Sequence, residues 1–95
     1  MNELLDPVIQ YVVSLTCSAR EPRKPEAPRY LIEAANNVAT QLGRPRPREP
    51  VCPICGARLK SGLGLCRHLS NTHYDDILAM IRYEVERVSS SYSDP

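Results

Sequence analysis

Residues 52–73 read CPICGARLKSGLGLCRHLSNTH, and the placing of Cys52, Cys55, His68 and His73 within them decides how the rest of the chain is read. Two residues separate the cysteines, twelve separate Cys55 from His68, and four separate the histidines. Thiolate sulfur and imidazole nitrogen are the donors that zinc takes in a tetrahedron. Two thiolates from a tight turn and two imidazoles from a helix complete the set. Pro53 and Ile54 between the cysteines, with Gly56 behind them, suit a turn that aims backbone N–H groups at sulfur and tolerates a positive φ. Cys66 offers a rival set, Cys52, Cys55, Cys66 and His73, because thiolate binds zinc well. Cys66 and His73 are two helical turns apart, about 10 Å along the axis, so the rival is disfavoured on a regular helix. His68 and His73 also point different ways in a perfect helix. The chain is therefore expected to loosen near Ser70–Thr72, with Thr72 and Asp75 forming a capping box that starts the next helix.

Leu59 follows the cysteines and Leu65 precedes the first histidine, as the apolar residues of two-Cys two-His zinc fingers do. The stretch resembles that family over about 22 residues. The resemblance implies a ββα finger holding one structural Zn2+ through Cys52, Cys55, His68 and His73, with its helix laid in the major groove of DNA. It places Ser61, Leu63, Gly64 and Arg67 toward the bases. Leu59 stands where an aromatic is usual, and Pro50 and Val51 precede Cys52, so a short first strand and a finger that leans on neighbouring helices are expected.

Outside the finger three amphipathic helices are expected. Apolar residues at 4, 5, 8, 9, 12, 13 and 15 make one stripe, with Asp6 placed to cap and Pro7 tolerable as the first helical residue. The run VIQYVVSLT is rich in β-branched residues and would also suit a strand, but no turn-linked partner lies nearby. REPRKPEAP, residues 20–28, is a stiff connector. A second helix opens at Pro28, carries its stripe through position 42 and ends at Gly43. An Arg/Pro arm over 44–51 follows. The stripe 74, 78, 81, 85, 88 predicts a C-terminal helix over 74–90, packed on the N-terminal pair or forming a two-heptad dimer seam, with a flexible tail over 91–95. The expected fold is thus mainly α: two N-terminal helices over 1–43, a ββα finger over 52–73 and a C-terminal helix.

The chain has 95 residues, no Trp, no Phe and only five Tyr, so its core is small and a metal staple is useful. Its net charge of +1 conceals a segregation. Residues 1–43 sum to −1, 44–73 to +5 and 74–95 to −3. The absence of a signal peptide and of a long apolar run predicts a soluble intracellular protein with no membrane partner, in which close cysteines are metal ligands. Cys17, far from the cluster, reads as a small buried apolar side chain. Arg outnumbers Lys ten to two and nine residues are Pro, which fits a thermophile or a GC-rich genome.

Four filled protein ligands make a closed structural site, and no carboxylate lies between Cys52 and His73, so an enzyme is not expected. Of the base-facing residues only Arg67 can grip guanine through two hydrogen bonds, too little to select a genomic site. Nucleic-acid binding through phosphates and shape is expected instead, by Arg44, Arg46, Arg48, Arg58, Lys60 and Arg67, as in a small DNA-binding regulator. The GRPRP of the arm resembles the core of an AT-hook, although Leu42 stands where an arginine usually precedes the glycine. A solvated linker is the alternative reading of that arm. Two other functions stay open: a protein–protein adaptor or homodimer using Leu63 or the helix over 74–88, and a structured-RNA or ribosome-associated protein.

Overall fold

The computed structural model describes residues 2–17, 22–43 and 50–92. Four helices make up the regular structure: α1 (Asn2–Cys17), α2 (Arg29–Gln41), α3 (Gly62–Thr72) and α4 (Tyr74–Tyr92). The mainly α expectation agrees with this. The ββα expectation does not, since among the described residues the only β pairing is an isolated antiparallel bridge between Val51 and Arg58. The reason lies in the residues around the turn. Leu59 N–H donates to the Pro50 carbonyl at 2.9 Å and Cys52 N–H to Ala57 at 2.8 Å, yet Pro50 has no N–H to return and no aromatic side chain covers the pair. The segment stays a looped turn feeding directly into α3.

α1 is the central helix. Val8, Ile9, Tyr11, Val12, Val13, Leu15, Thr16 and Cys17 are all buried, so the helix is covered on almost every side, by α2, α3 and α4. The helix expected from the stripe is thus formed despite its β-branched run, with Asp6, Pro7 and Gln10 left on a narrow exposed face. Thr16 returns its hydroxyl to the Val12 carbonyl at 2.8 Å, which satisfies the polar atom inside the core. Pro7 lies within α1 and not at its first position, because the helix begins at Asn2 and Pro7 gives up one hydrogen bond in its second turn. Asp6 does not act as the predicted cap; it accepts a hydrogen bond from the Tyr74 hydroxyl at 2.8 Å, tying α1 to the start of α4.

α2 turns Leu31, Ala34, Ala35, Val38 and Ala39 inward, and its small alanines let α1 and α4 approach closely. Gly43, at φ 109°, takes the left-handed conformation that ends it. α4 returns across α2, burying Ile77, Leu78, Ile81 and Val88, so the stripe that could have formed a dimer seam is occupied within the chain. The helix extends to Tyr92, beyond the expected stop at 90, and residues 93–95 of the expected tail lie outside the described residues. α3 docks mainly on α1, touches α4, and does not reach α2. No helix among the described residues is long and apolar enough to cross a membrane.

Candidate metal centre

The first two donors come from the turn. Gly56 N–H donates to the Cys52 carbonyl at 2.9 Å, closing the loop that carries both cysteines, and Gly56 adopts φ 79°. Ile54 N–H points at the Cys52 sulfur at 3.4 Å, the N–H-to-thiolate contact that a Cys-x-x-Cys turn is suited to make. The other two donors come from α3 and its end. Ser61 caps α3, accepting from Gly64 N–H at 3.0 Å, so its hydroxyl is engaged by the helix it was expected to project from. His68 sits in the body of α3. His73, at φ −114° and ψ 22°, is the single residue between α3 and α4, so the helical path breaks at His73 itself and not over Ser70–Thr72. That break brings the imidazole rings of His68 and His73 to 4.9 Å, edge to face.

One ligand atom from each of Cys52, Cys55, His68 and His73 lies within 4.8 Å of all the others, and the Cys55 sulfur is 3.3 Å from His68 Nε2. Around a tetrahedral zinc with bonds of about 2.0–2.3 Å, donor atoms stand roughly 3.3–3.8 Å apart, so the group needs only a small inward movement to close on an ion. Cys52 and His73 form the buried half of the site, His68 is half-buried and Cys55 is exposed.

The protonation pattern fits the same conclusion. His73 Nδ1 stands 2.7 Å from Asp76 Oδ2. An ionised carboxylate only accepts, so Nδ1 carries the proton and Nε2 offers its lone pair. Nε2 is buried and has no hydrogen-bond partner, an atom that a metal ion would satisfy. The Asp76 hydrogen bond raises the His73 pKa above its ordinary value, so an ion arriving at Nε2 competes with a proton there. The adjacent His73 imidazole, the Ala57 backbone and the His68 imidazole lower the Cys55 thiol to about 6.

Asp76 is absent from the sequence-derived site. Its signal was the three-residue step from His73 across a helix start, which places the two side chains on one face. Cys66 is not a ligand: it is disulfide-bonded to Cys17, which excludes the rival set and also shows that Cys17 is not a solitary apolar filler. Arg58, Lys60 and Arg67 are exposed beside the cluster, on the turn and on α3. Arg44, Arg46 and Arg48, and all of the GRPRP stretch after Gly43, lie outside the described residues. Leu63 is exposed, and with Arg67 and Asn71 it forms an outward stripe at four-residue steps along α3.

These features define a class: a mainly helical chain with a two-Cys two-His cluster that could hold a metal ion. No family model, curated protein or solved structure matches the chain.

Proposed function

We propose that the chain is a zinc-stabilised nucleic-acid-binding protein whose single Zn2+ is structural. The observation that carries the metal is the orphaned, buried Nε2 of His73, oriented by Asp76 and facing two thiols and a second imidazole. Two sulfurs and two nitrogens select zinc over the oxygen-seeking ions, and four protein donors leave no open position for catalysis. Zinc supplies no reaction here. It fixes the turn against the end of α3, and this fixed surface carries Arg58, Lys60 and Arg67.

The charge of +5 over residues 44–73 supports a polyanionic partner. Duplex DNA is favoured, bound through phosphates and shape, since Arg67 is the one strong base reader on α3 and Ser61 is committed to its cap. The test is a fluorescence-anisotropy titration of zinc-loaded protein against mixed-sequence duplex and structured RNA over a salt series. Affinity for the duplex is expected to fall steeply with salt, and Lys60→Gln with Arg67→Gln to flatten the logarithmic slope by roughly 2 units, about 0.9 for each lost phosphate contact. Failure of zinc-loaded protein to bind either nucleic acid at low salt would sink the reading. In that outcome a zinc-braced adaptor takes its place, for which the specific observation is Leu63, 64% exposed between Gly62 and Gly64. Leu63→Ala would then be the replacement that abolishes association.

A further inference from the structure

The Cys17–Cys66 disulfide joins the last residue of α1 to the middle of α3, with Cα atoms 5.6 Å apart at a sequence separation of 49. Cys66 lies two residues before His68 on the same helix, a rise of about 3 Å, so one element carries both the crosslink and a metal donor. Apart from the crosslink, α3 is held by two core leucines and by the Ser70 hydroxyl, which donates to Gln10 Oε1 of α1 at 3.0 Å. Leu65 and Leu69 are its only buried side chains among the described residues, and it is the shortest of the four helices. Its first turn already lies against the end of α1: a Cβ placed on Gly62 would stand 3.4 Å from the Cys17 carbonyl oxygen.

We propose that the Cys17–Cys66 pair is a redox-sensitive latch thermodynamically coupled to the metal centre, an inference that rests on the zinc reading above. With the disulfide closed, α3 is held on α1 and His68 and His73 face the cysteine turn before any ion arrives. With it open, the ion must itself order α3, and that ordering cost is subtracted from metal affinity. Linkage makes the effect mutual: zinc resists opening of the disulfide by the same factor that the disulfide tightens zinc. Closing takes two electrons and two protons from the thiols of Cys17 and Cys66, passed to a small-molecule disulfide that leaves as two thiols. A phosphine opens the bond, taking oxygen from water to become the phosphine oxide as the two thiols are restored. Cys52 and Cys55 are thiolates throughout when bound to zinc, so the latch and the ligands use separate sulfurs.

The experiment is a zinc competition against a chromogenic chelator on the full chain, with and without a phosphine reductant, alongside Cys17→Ser and the Cys17→Ser/Cys66→Ser double variant. Alkylation and mass measurement count free thiols in each sample. Zinc is expected to bind on the order of tenfold more weakly to the reduced wild type than to the oxidised one, within the usual range of coupling between sites. Both variants are expected to match the reduced protein whether or not phosphine is present. Equal zinc affinity in the two redox states overturns the coupling while leaving the metal reading intact. So does a zinc-loaded wild type whose Cys17 and Cys66 remain alkylatable after treatment with a small-molecule disulfide. A chain that takes up no zinc in either state overturns both. Should a variant lose its helical circular dichroism, the two redox states of the wild type decide the matter alone.

Discussion

Asp76 touches no metal in the proposed site, yet it determines which nitrogen of His73 can bind one. Its carboxylate holds the proton on Nδ1 at 2.7 Å, which leaves Nε2 free of hydrogen and directed into the cluster. Without that partner the imidazole can protonate on either nitrogen and turn about χ2, so part of the population presents the wrong atom. Asp76→Ala is therefore expected to weaken zinc binding about 10–100-fold while leaving the four donors in place, the usual range for losing a carboxylate behind a histidine ligand. Competition with a chelator of known affinity measures this directly, and an unchanged dissociation constant would show that the Asp76 contact does not orient the ring. Cys55 presents a contrasting case at the same scale. It is exposed, and its thiol is lowered to about 6 by the adjacent His73 imidazole, the Ala57 backbone and the His68 imidazole, which eases loss of its proton to an incoming cation.

Between elements, the strongest polar link joins α2 to α4. Glu84 is buried, and its carboxylate accepts from Gln41 at 2.9 Å, Asn37 at 3.3 Å and Arg87 at 3.0 Å. Burial alone would push this carboxyl up. The Gln41, Arg87 and Asn37 contacts outweigh it, and the pKa lies below the ordinary 4.5. A carboxylate depressed in this way adds stability that is complete above its unfolded pKa and is lost as pH falls through the folded one. Glu84→Ala should cost about 2–3 kcal/mol at pH 7, since it removes the charge-assisted hydrogen bonds that join the two helices. The gap between variant and wild type in urea unfolding should narrow as the pH drops below 4.5, and a gap that stays constant down to pH 3 would mean the charge contributes nothing. Legibility in the sequence follows the same geometry. The stripes of α1, α2 and α4 are legible because each helix keeps a wet face, narrow on α1, where Asp6, Pro7 and Gln10 are exposed. The metal donors are readable because a turn and a helix end bring them together locally. The Cys17–Cys66 bond spans 49 positions and depends on how α3 docks on α1, which no local pattern encodes. The ββ hairpin failed where the ligand spacing held, because spacing constrains the ligand atoms while a hairpin also needs paired N–H groups and a covered face. Pro50 and Leu59 supply neither.

At the scale of the molecule, the packing divides the work between core and staples. α1, α2 and α4 share most of the helix contacts and most of the buried aliphatic side chains, so their association does not depend on an ion. The cysteine turn and α3 join the same core through Cys52, Leu65 and Leu69, and α3, which touches α1 and α4 but not α2, is secured by the Cys17–Cys66 disulfide. Chelation should therefore release one region and leave the rest folded. Free zinc at 100 times its dissociation constant adds about 2.7 kcal/mol to unfolding if only the folded chain binds it. For a chain of this size that corresponds to roughly 10–20 °C in Tm. The loss on adding chelator should fall within that range, with most of the far-UV helical signal retained at 25 °C. Amide exchange gives the sharper test: after chelation with the disulfide closed, protons of residues 52–61 should exchange quickly while those of α1, α2, α4 and the crosslinked α3 stay protected. If all four helices lose protection together, the ion supports the whole fold and the three-helix body cannot stand without it. If the turn stays protected as well, the core and the disulfide already hold it in place, and zinc binds to a surface that was rigid before it arrived.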